Sequence, residues 1–173
     1  MNLYAYAGNN PVAFTDPFGL VADTIDASPE VREMLWADCK EPSDYCDTLD
    51  WLDHHSTVWS VDTTSQPLPA NALSGYTKVN YEYEMPVLGI YTRRVTGGNI
   101  LIRPADFATN SRQEGGLPVT FGTTAAHEVG HAVGNILATN RYPLQGIWKK
   151  CGEPCAKGVE NHYRRQVGLQ QRP

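Results

Sequence analysis

Hydrophobic residues follow a helical spacing in the first third of the chain. The sequence SPEVREML, beginning at Ser28, combines a helix start with apolar residues at helical spacing, which predicts a short helix to about Asp38. The same spacing recurs at Tyr45, Leu49 and Leu52 and predicts a second helix with acidic residues on its polar face.

The middle of the chain changes to an alternating pattern. In YTKVNYEYEM, apolar or aromatic residues at Val79, Tyr81 and Tyr83 alternate with polar ones, as in a half-buried strand. The sequences LGIYTRRV and GGNILIRP predict two further strands joined by a turn at Gly97 and Gly98. We therefore expect a small antiparallel sheet.

The strand GGNILIRP has two interpretations. It could be an exposed edge to which an extended peptide substrate adds as a further strand. Alternatively, it is paired on both sides, with Ile100 and Ile102 in the core.

Two helices are expected in the last third. Thr123 or Thr124 can cap a helix over 125–139. A final helix is predicted over about 156–167, with Gly168 as its C-terminal stop. Helices combined with one small sheet predict the α+β class.

Length, composition and charge limit the possible functions. The chain has 173 residues, 41% of them hydrophobic, which suits one compact domain. A net charge of −5 argues against a nucleic-acid partner.

No apolar run approaches the roughly 18 residues that a membrane span needs, and the opening MNLYAYAGNN has no signal-peptide pattern. We expect no membrane span.

Four cysteines form two close pairs, Cys39 with Cys46 and Cys151 with Cys155. Two local disulfides would suit a protein that passes through an oxidising compartment. The alternatives are free buried thiols, or a second metal site made by Cys151, Cys155 and His162, although that run has three ligands where structural zinc takes four.

The strongest chemical signal is HEVGH on the first of the late helices. At about 100° per residue, His127 and His131 are about 40° and one turn apart, so both imidazoles can face one metal ion. Glu128 is rotated by about 100° from His127, which suits contact with a metal-held water. Two imidazoles, a carboxylate and an open position for water are a common catalytic zinc set. We therefore expect Zn²⁺, with Glu128 as the general base.

A third protein ligand must come from downstream. Glu160 lies 29 residues after His131, inside the predicted last helix, and we favour it because a rigid element can deliver it. Glu153, in the sequence CGEPC, is the weaker candidate. His162 lies about 200° further around a regular helix than Glu160 and cannot reach the same ion. Arg164 shares the face of Glu160 and could hold its carboxylate, or the two could form an ordinary surface ion pair.

Such a site performs amide hydrolysis. The ion lowers the pKa of its water, Glu128 takes the proton, and the hydroxide attacks a polarised carbonyl. Tyr163 and Tyr142 are the candidate donors to the developing oxyanion. The alternative for each tyrosine is a packing role.

The opening NLYAYAGNNPVAFTDPFGL, residues 2–20, resembles the end of the core of Rhs-repeat proteins, which has the form NLYxYxxNNPxxxxDPxGL and precedes a variable toxin. The resemblance implies that 1–20 end such a core, that 21–173 are the toxin domain and that cleavage follows Leu20. It further implies delivery into rival cells by contact-dependent or type VI secretion. The remainder of the Rhs shell and a cognate immunity protein would be its partners.

The sequences HEVGHAVGN and GVENHYRRQVGLQQR are similar to zinc metallopeptidase toxins attached to Rhs proteins. These toxins share an HExxH helix and a later ENxxR helix that ends near GLPxR. The resemblance implies a zincin-like fold, with a small antiparallel sheet packed on the active-site helix. It assigns the metal ligand to Glu160 and matches Asn161 and Arg164 as supporting residues. The departures are Gln170 in place of proline and the added CGEPC.

Three hypotheses follow. The first is a secreted zinc metallopeptidase toxin that cleaves a protein of the target cell. The second is a zinc amidase that acts on cell-wall peptide, for which disulfides and a periplasmic site of action would fit. The third is a non-catalytic binding module with a structural metal, whose site would have four protein ligands and no open position.

Overall fold

The computed structural model describes residues 23–70, 72–87, 90–113, 116–139 and 152–173. Within these ranges the chain forms one small sheet and five α-helices, which confirms the α+β class. The elements are, in order, β1 (Ile25–Ala27), α1 (Pro29–Trp36), α2 (Asp44–Asp53), β2 (Val58–Thr63), β3 (Gly75–Val87), β4 (Ile90–Ile102), a 3-10 turn (Pro104–Asp106), α3 (Phe107–Gln113), α4 (Phe121–Thr139) and α5 (Gly152–Gln166).

The sheet is mixed, so the expectation of an antiparallel sheet was wrong for two of its three strand pairings. The strand order is β1-β2-β4-β3. Only β3 and β4 pair antiparallel, while β1 with β2 and β2 with β4 pair parallel. The sequence analysis did not recognise β1, which has three residues, or β2. Because α1 and α2 connect these two strands, the chain returns in its original direction and the strands pair parallel.

Gly97 and Gly98 are not a turn, as predicted, but lie inside the continuous strand β4. A Cβ at Gly97 would fall 1.8 Å from the carbonyl oxygen of Val58, and one at Gly98 would fall 2.1 Å from that of Lys78. The two glycines therefore allow the neighbouring strands on both sides to approach β4 closely.

The strand GGNILIRP is the paired core strand, not the exposed edge. It belongs to β4, which lies between β2 and β3, and both Ile100 and Ile102 are buried. Among the described residues, the edge strand beside β4 is β3, whose partner in the sheet is β4 alone.

The far half of the β3–β4 hairpin extends beyond the rest of the sheet. The pairing of β2 with β4 begins at Val58 and Gly97, so β2 does not reach the first part of β4, which pairs with the later part of β3. Tyr83, predicted on the buried face together with Val79 and Tyr81, is accordingly 70% exposed.

Side-chain caps explain where the helices begin. As predicted, α1 starts after Ser28, whose hydroxyl accepts a hydrogen bond from the N–H of Val31; Ser43 caps α2 in the same way. The helix α4 begins one turn earlier than expected. The side chains of Thr120 and Thr123 each accept a hydrogen bond from the backbone N–H of the other, at 3.2 and 2.8 Å, and this reciprocal cap fixes the earlier start.

Among the described residues, the helix α4 contacts both the sheet and the other long helices. It packs against β3, β4 and α5, and its buried Ala125, Ala126, Val129 and Ala132 join the main hydrophobic core. The core also contains apolar residues of α1, α2 and the sheet, including Leu35, Leu49, Trp59 and Ile100. Small residues on α4 let the sheet and α5 approach its backbone.

The described cysteines are oxidised. Cys39 and Cys46 form a disulfide with a Cα separation of 5.6 Å. Cys155 is also disulfide-bonded, and its partner lies outside the described residues. These bonds overturn the alternatives of free thiols and of a metal site that uses the Cys155 thiolate.

In the described ranges, no helix combines the length and apolar character needed to cross a bilayer.

Candidate metal centre

The HEVGH sequence lies in the second and third turns of α4. His127 and His131 project from one face, as the spacing predicted, with ring centroids 4.8 Å apart and ring planes nearly perpendicular. Both side chains are mostly buried but reach a cavity. The preceding turns of α4 are fixed by the sheet and by the Thr120–Thr123 cap, so the two imidazoles are held by a rigid element.

A carboxylate of α5 meets both imidazoles. Oε2 of Glu153 lies 3.6 Å from Nε2 of His127 and 3.7 Å from Nε2 of His131. The ligand atoms of these three residues all lie within 4.8 Å of one another. In a tetrahedral zinc site with bonds of about 2.0–2.1 Å, ligand atoms are separated by about 3.4 Å. The two distances from Glu153 are close to that spacing, so the three residues form a candidate zinc site.

Glu160, the favoured third ligand, lies on the other side of the His127 ring. Its Oε2 is 3.0 Å from Nδ1 of His127. The same oxygen accepts a hydrogen bond of 2.8 Å from Nη1 of Arg172, and Oε1 accepts one of 2.7 Å from Nε of Arg164. The structure thus brings Glu153, and not Glu160, to the two Nε2 atoms.

The surroundings of Glu160 keep it ionised although only 3% of its side chain is exposed. Burial raises the pKa of this carboxyl, but hydrogen bonds from His127, Arg172 and Arg164 outweigh burial and lower its pKa to about 2. For His127, burial has the opposite effect and lowers the pKa. The hydrogen bond to Glu160 and the charges of nearby carboxylates outweigh burial, so the pKa of His127 is raised overall. In the neutral ring, a carboxylate acceptor at Nδ1 favours the Nδ1–H tautomer, which leaves Nε2 as the nitrogen that can bind a metal ion.

Glu128 lies beside the histidines with its carboxylate held by β3. The hydroxyl of Thr77 donates a hydrogen bond of 2.6 Å to Oε2 of Glu128. Gly75 gives the side chain room, because a Cβ there would fall 2.6 Å from both Cγ and Oε1 of Glu128. Burial raises the pKa of Glu128 against the lowering effect of Thr77 and His127, as suits a general base.

These groups share one cavity of about 300 Å³. One wall is the chain entering β3, from Ala72 to Thr77, and the opposite wall is made by α4 and α5. The chemical groups on its surface are His127, Glu128, His131, Glu153, Glu160, Arg164 and Arg172. The edge strand of the sheet therefore runs directly past the candidate ligands.

Each of the two arginines that bind Glu160 has further hydrogen bonds that fix its position. Arg164 is completely buried, and its Nη2 donates to the carbonyl of Pro118 at 3.0 Å. Asn161 does not bind a candidate ligand; its side-chain amide bonds the backbone of Arg172.

The structure does not bring Tyr163 or His162 to the cavity. The Tyr163 hydroxyl donates to Oδ2 of Asp38 at 2.6 Å, and its ring packs edge-on against Tyr45. His162 lies 3.6 Å from a carboxylate oxygen of Asp44. Tyr142 lies outside the described residues.

Sequence reasoning missed Gly75, Thr77 and Arg172. Extending the alternation of β3 back from Val79 puts Thr77 and Gly75 on the same face, so the strand pattern contained a signal for both. Arg172 stands at the arginine of the GLPxR pattern, but its place beside Glu160 depends on how the chain turns after α5.

Comparisons of the chain with protein-family models, curated proteins and solved structures found no match. The function is therefore inferred from the residues and geometry of the site.

Proposed function

We propose that the protein is a zinc-dependent metallopeptidase. The observation that supports this most directly is the meeting of Oε2 of Glu153 with both Nε2 atoms of the HEVGH histidines, at 3.6 and 3.7 Å. A three-ligand set beside an open cavity and a buried glutamate is typical of catalytic zinc rather than structural zinc. His127, His131 and Glu153 hold the ion in this proposal.

The chain's own residues then have defined tasks. A bound zinc ion would supply a Lewis acid that lowers the pKa of water and polarises the scissile carbonyl. Glu128 accepts a proton from the attacking water at Oε1, since Oε2 is held by Thr77. Glu128 then delivers that proton to the nitrogen of the departing amine, so one residue is base and then acid.

The edge strand β3 suits an extended peptide. Its first residues line the cavity, and within the described chain its sheet neighbour is β4 only. A peptide that adds beside β3 by backbone hydrogen bonds would pass the candidate ligands regardless of its sequence. Leu73, nearly half exposed at the cavity wall, offers an apolar contact to one substrate side chain.

The biological setting in this proposal comes from the sequence resemblances. The residues 1–20 would end an Rhs core, and 21–173 would be a toxin domain delivered into a target cell. Its substrate would be a protein of that cell, and a cognate immunity protein would protect the producer. Disulfides among the described cysteines also suit a zinc amidase that acts on cell-wall peptide in an oxidising compartment, which keeps that second function under test.

A Glu128→Gln variant tests the proposal. We expect it to keep bound zinc and to lose hydrolysis of an unfolded protein substrate by at least about 100-fold, because only the proton transfer is removed. Glu33→Gln on the exposed face of α1 is the matched control and should match the wild type. Equal hydrolysis by Glu128→Gln would contradict the proposal and favour a binding module.

Directing the domain to either compartment of a test bacterium separates the two enzymes. The metallopeptidase should kill from the cytoplasm and produce new protein ends there. Killing only from the periplasm, with cleaved cell-wall peptide and intact proteins, would favour the amidase.

A further inference from the structure

The chain folds back on α5 immediately after that helix ends. Gly168 has a φ of +73°, a conformation that glycine adopts readily and that commonly ends helices. The N–H of Leu169 then donates to the carbonyl of Arg164 at 2.7 Å, and Nη1 of Arg164 donates to the carbonyl of Gln170 at 3.3 Å. The segment 168–173 therefore runs back along the helix toward the cavity.

One side chain of α5 fixes the end of this segment. Oδ1 of Asn161 accepts a hydrogen bond of 2.8 Å from the backbone N–H of Arg172, and Nδ2 of Asn161 donates one of 3.0 Å to its carbonyl oxygen. Both backbone groups of Arg172 are thus bonded to one amide. Asparagine presents an acceptor and a donor side by side, which aspartate or alanine cannot do.

The fixed backbone directs the Arg172 guanidinium to Glu160. Nη1 of Arg172 donates to Oε2 of Glu160 at 2.8 Å, the oxygen that also contacts Nδ1 of His127. Arg164 binds the other oxygen. Two guanidinium groups therefore orient one buried carboxylate, and that carboxylate orients the imidazole.

We propose that Asn161 and Arg172 form a clasp that positions His127 for metal binding through Glu160, an inference that rests on the zinc site proposed above. Arg172 is a positioning residue: its Nη1 binds Glu160 and lies 3.5 Å from Nδ1 of His127, on the side of the ring away from the proposed metal. Through this clasp, the segment after α5 becomes part of the metal centre. Outer residues that orient a metal-binding histidine commonly change metal affinity by about 10- to 100-fold.

The test uses the full chain in four forms: wild type, Arg172→Met, Asn161→Ala and Arg165→Met. Arg165 is exposed in the last turn of α5, so its variant removes the same charge without touching the clasp. Zinc affinity is measured by competition with a chromophoric chelator. The absorption spectrum of the cobalt(II) form reports the geometry around the metal, and thermal unfolding of the metal-free proteins checks that each one is folded.

We expect Arg172→Met to weaken zinc binding by about 10- to 100-fold and to alter the cobalt spectrum. Asn161→Ala keeps every charge and should also weaken zinc binding and alter the cobalt spectrum. It tests the proposal by itself if Arg172→Met does not fold. Arg165→Met should match the wild type. If both clasp variants bind zinc as the wild type does, with its cobalt spectrum, or if Arg165→Met loses as much, the clasp is overturned. A wild-type protein that binds no zinc would overturn the zinc site as well.

Discussion

Gly130 of α4 and Ala156 of α5 meet backbone to backbone, since a Cβ at Gly130 would fall 2.6 Å from the Cα of Ala156. This contact joins the two elements that supply the candidate ligands. It holds the beginning of α5 against the middle of α4, which brings Glu153 to the pair of histidines.

A Gly130→Ala substitution should separate the helices at this point. The nearest atoms are backbone atoms of Cys155 and Ala156, which cannot rotate away as a side chain can. We therefore expect a loss of about 1–3 kcal/mol in the free energy of unfolding together with weaker zinc binding. Gly158→Ala is the matched control, because a Cβ there meets nothing within 4 Å. It should stabilise α5 by about 0.5–1 kcal/mol. Chemical denaturation measures the free energy of unfolding of both variants. Equal changes in the two would contradict this account of Gly130.

The third ligand can be assigned by comparing two glutamates of α5. Glu153→Gln should weaken zinc binding more than Glu160→Gln, because Glu153 contacts both Nε2 atoms while Glu160 acts through Nδ1 of His127. For Glu160→Gln we expect a loss of about 10- to 100-fold. His162→Ala, which lies away from the cavity, should leave zinc affinity unchanged. If Glu160→Gln removes zinc while Glu153→Gln retains it, Glu160 is the ligand.

Thr77→Val should slow hydrolysis without removing zinc. The hydroxyl of Thr77 donates to Oε2 of Glu128 at 2.6 Å, and losing one hydrogen bond to a charged group costs about 1.5 kcal/mol, or roughly tenfold in rate. The control is Thr63→Val at the exposed end of β2. Steady-state kinetics with a peptide substrate measure kcat. An unchanged kcat for Thr77→Val would show that Glu128 needs no partner on β3.

Removing the Cys39–Cys46 disulfide should destabilise the domain without changing its zinc affinity. The bond closes a loop across seven positions, for which loss of the cross-link costs about 2–3 kcal/mol. Urea unfolding of a Cys39→Ala, Cys46→Ala double variant measures this loss, and zinc binding to the folded variant should equal that of the wild type. Weakened zinc binding at full stability would contradict this separation.

The HEVGH spacing was sufficient to predict the two histidines and Glu128 on one helix, because those relationships are local and follow from 3.6 residues per turn. The helix start at Ser28 was similarly local. The preference for Glu160 over Glu153 assumed that Glu153 lies in a loop before the last helix. The ranking depends on where α5 begins, and the helix starts at Gly152 rather than near 156. Glu153 is therefore helical and lies two turns before Glu160 on nearly the same face.

The sheet was less predictable because its order depends on contacts between distant strands. Gly97 and Gly98 have the composition of a turn, but they serve the close approach of Val58 and Lys78 from neighbouring strands. Arg172 reaches Glu160 only because the chain reverses at Gly168. Relationships of this kind arise from packing and are not encoded in a local period.

Titration of the metal-free protein with zinc, followed by peptide hydrolysis, tests the central claim most directly. Activity should be absent without metal and should rise in proportion to added zinc until one ion is bound per chain. It should then stay constant, because the proposal has a single zinc site, made by His127, His131 and Glu153. Full hydrolysis by the metal-free protein, or one tightly bound zinc without any hydrolysis of peptides, would contradict the account.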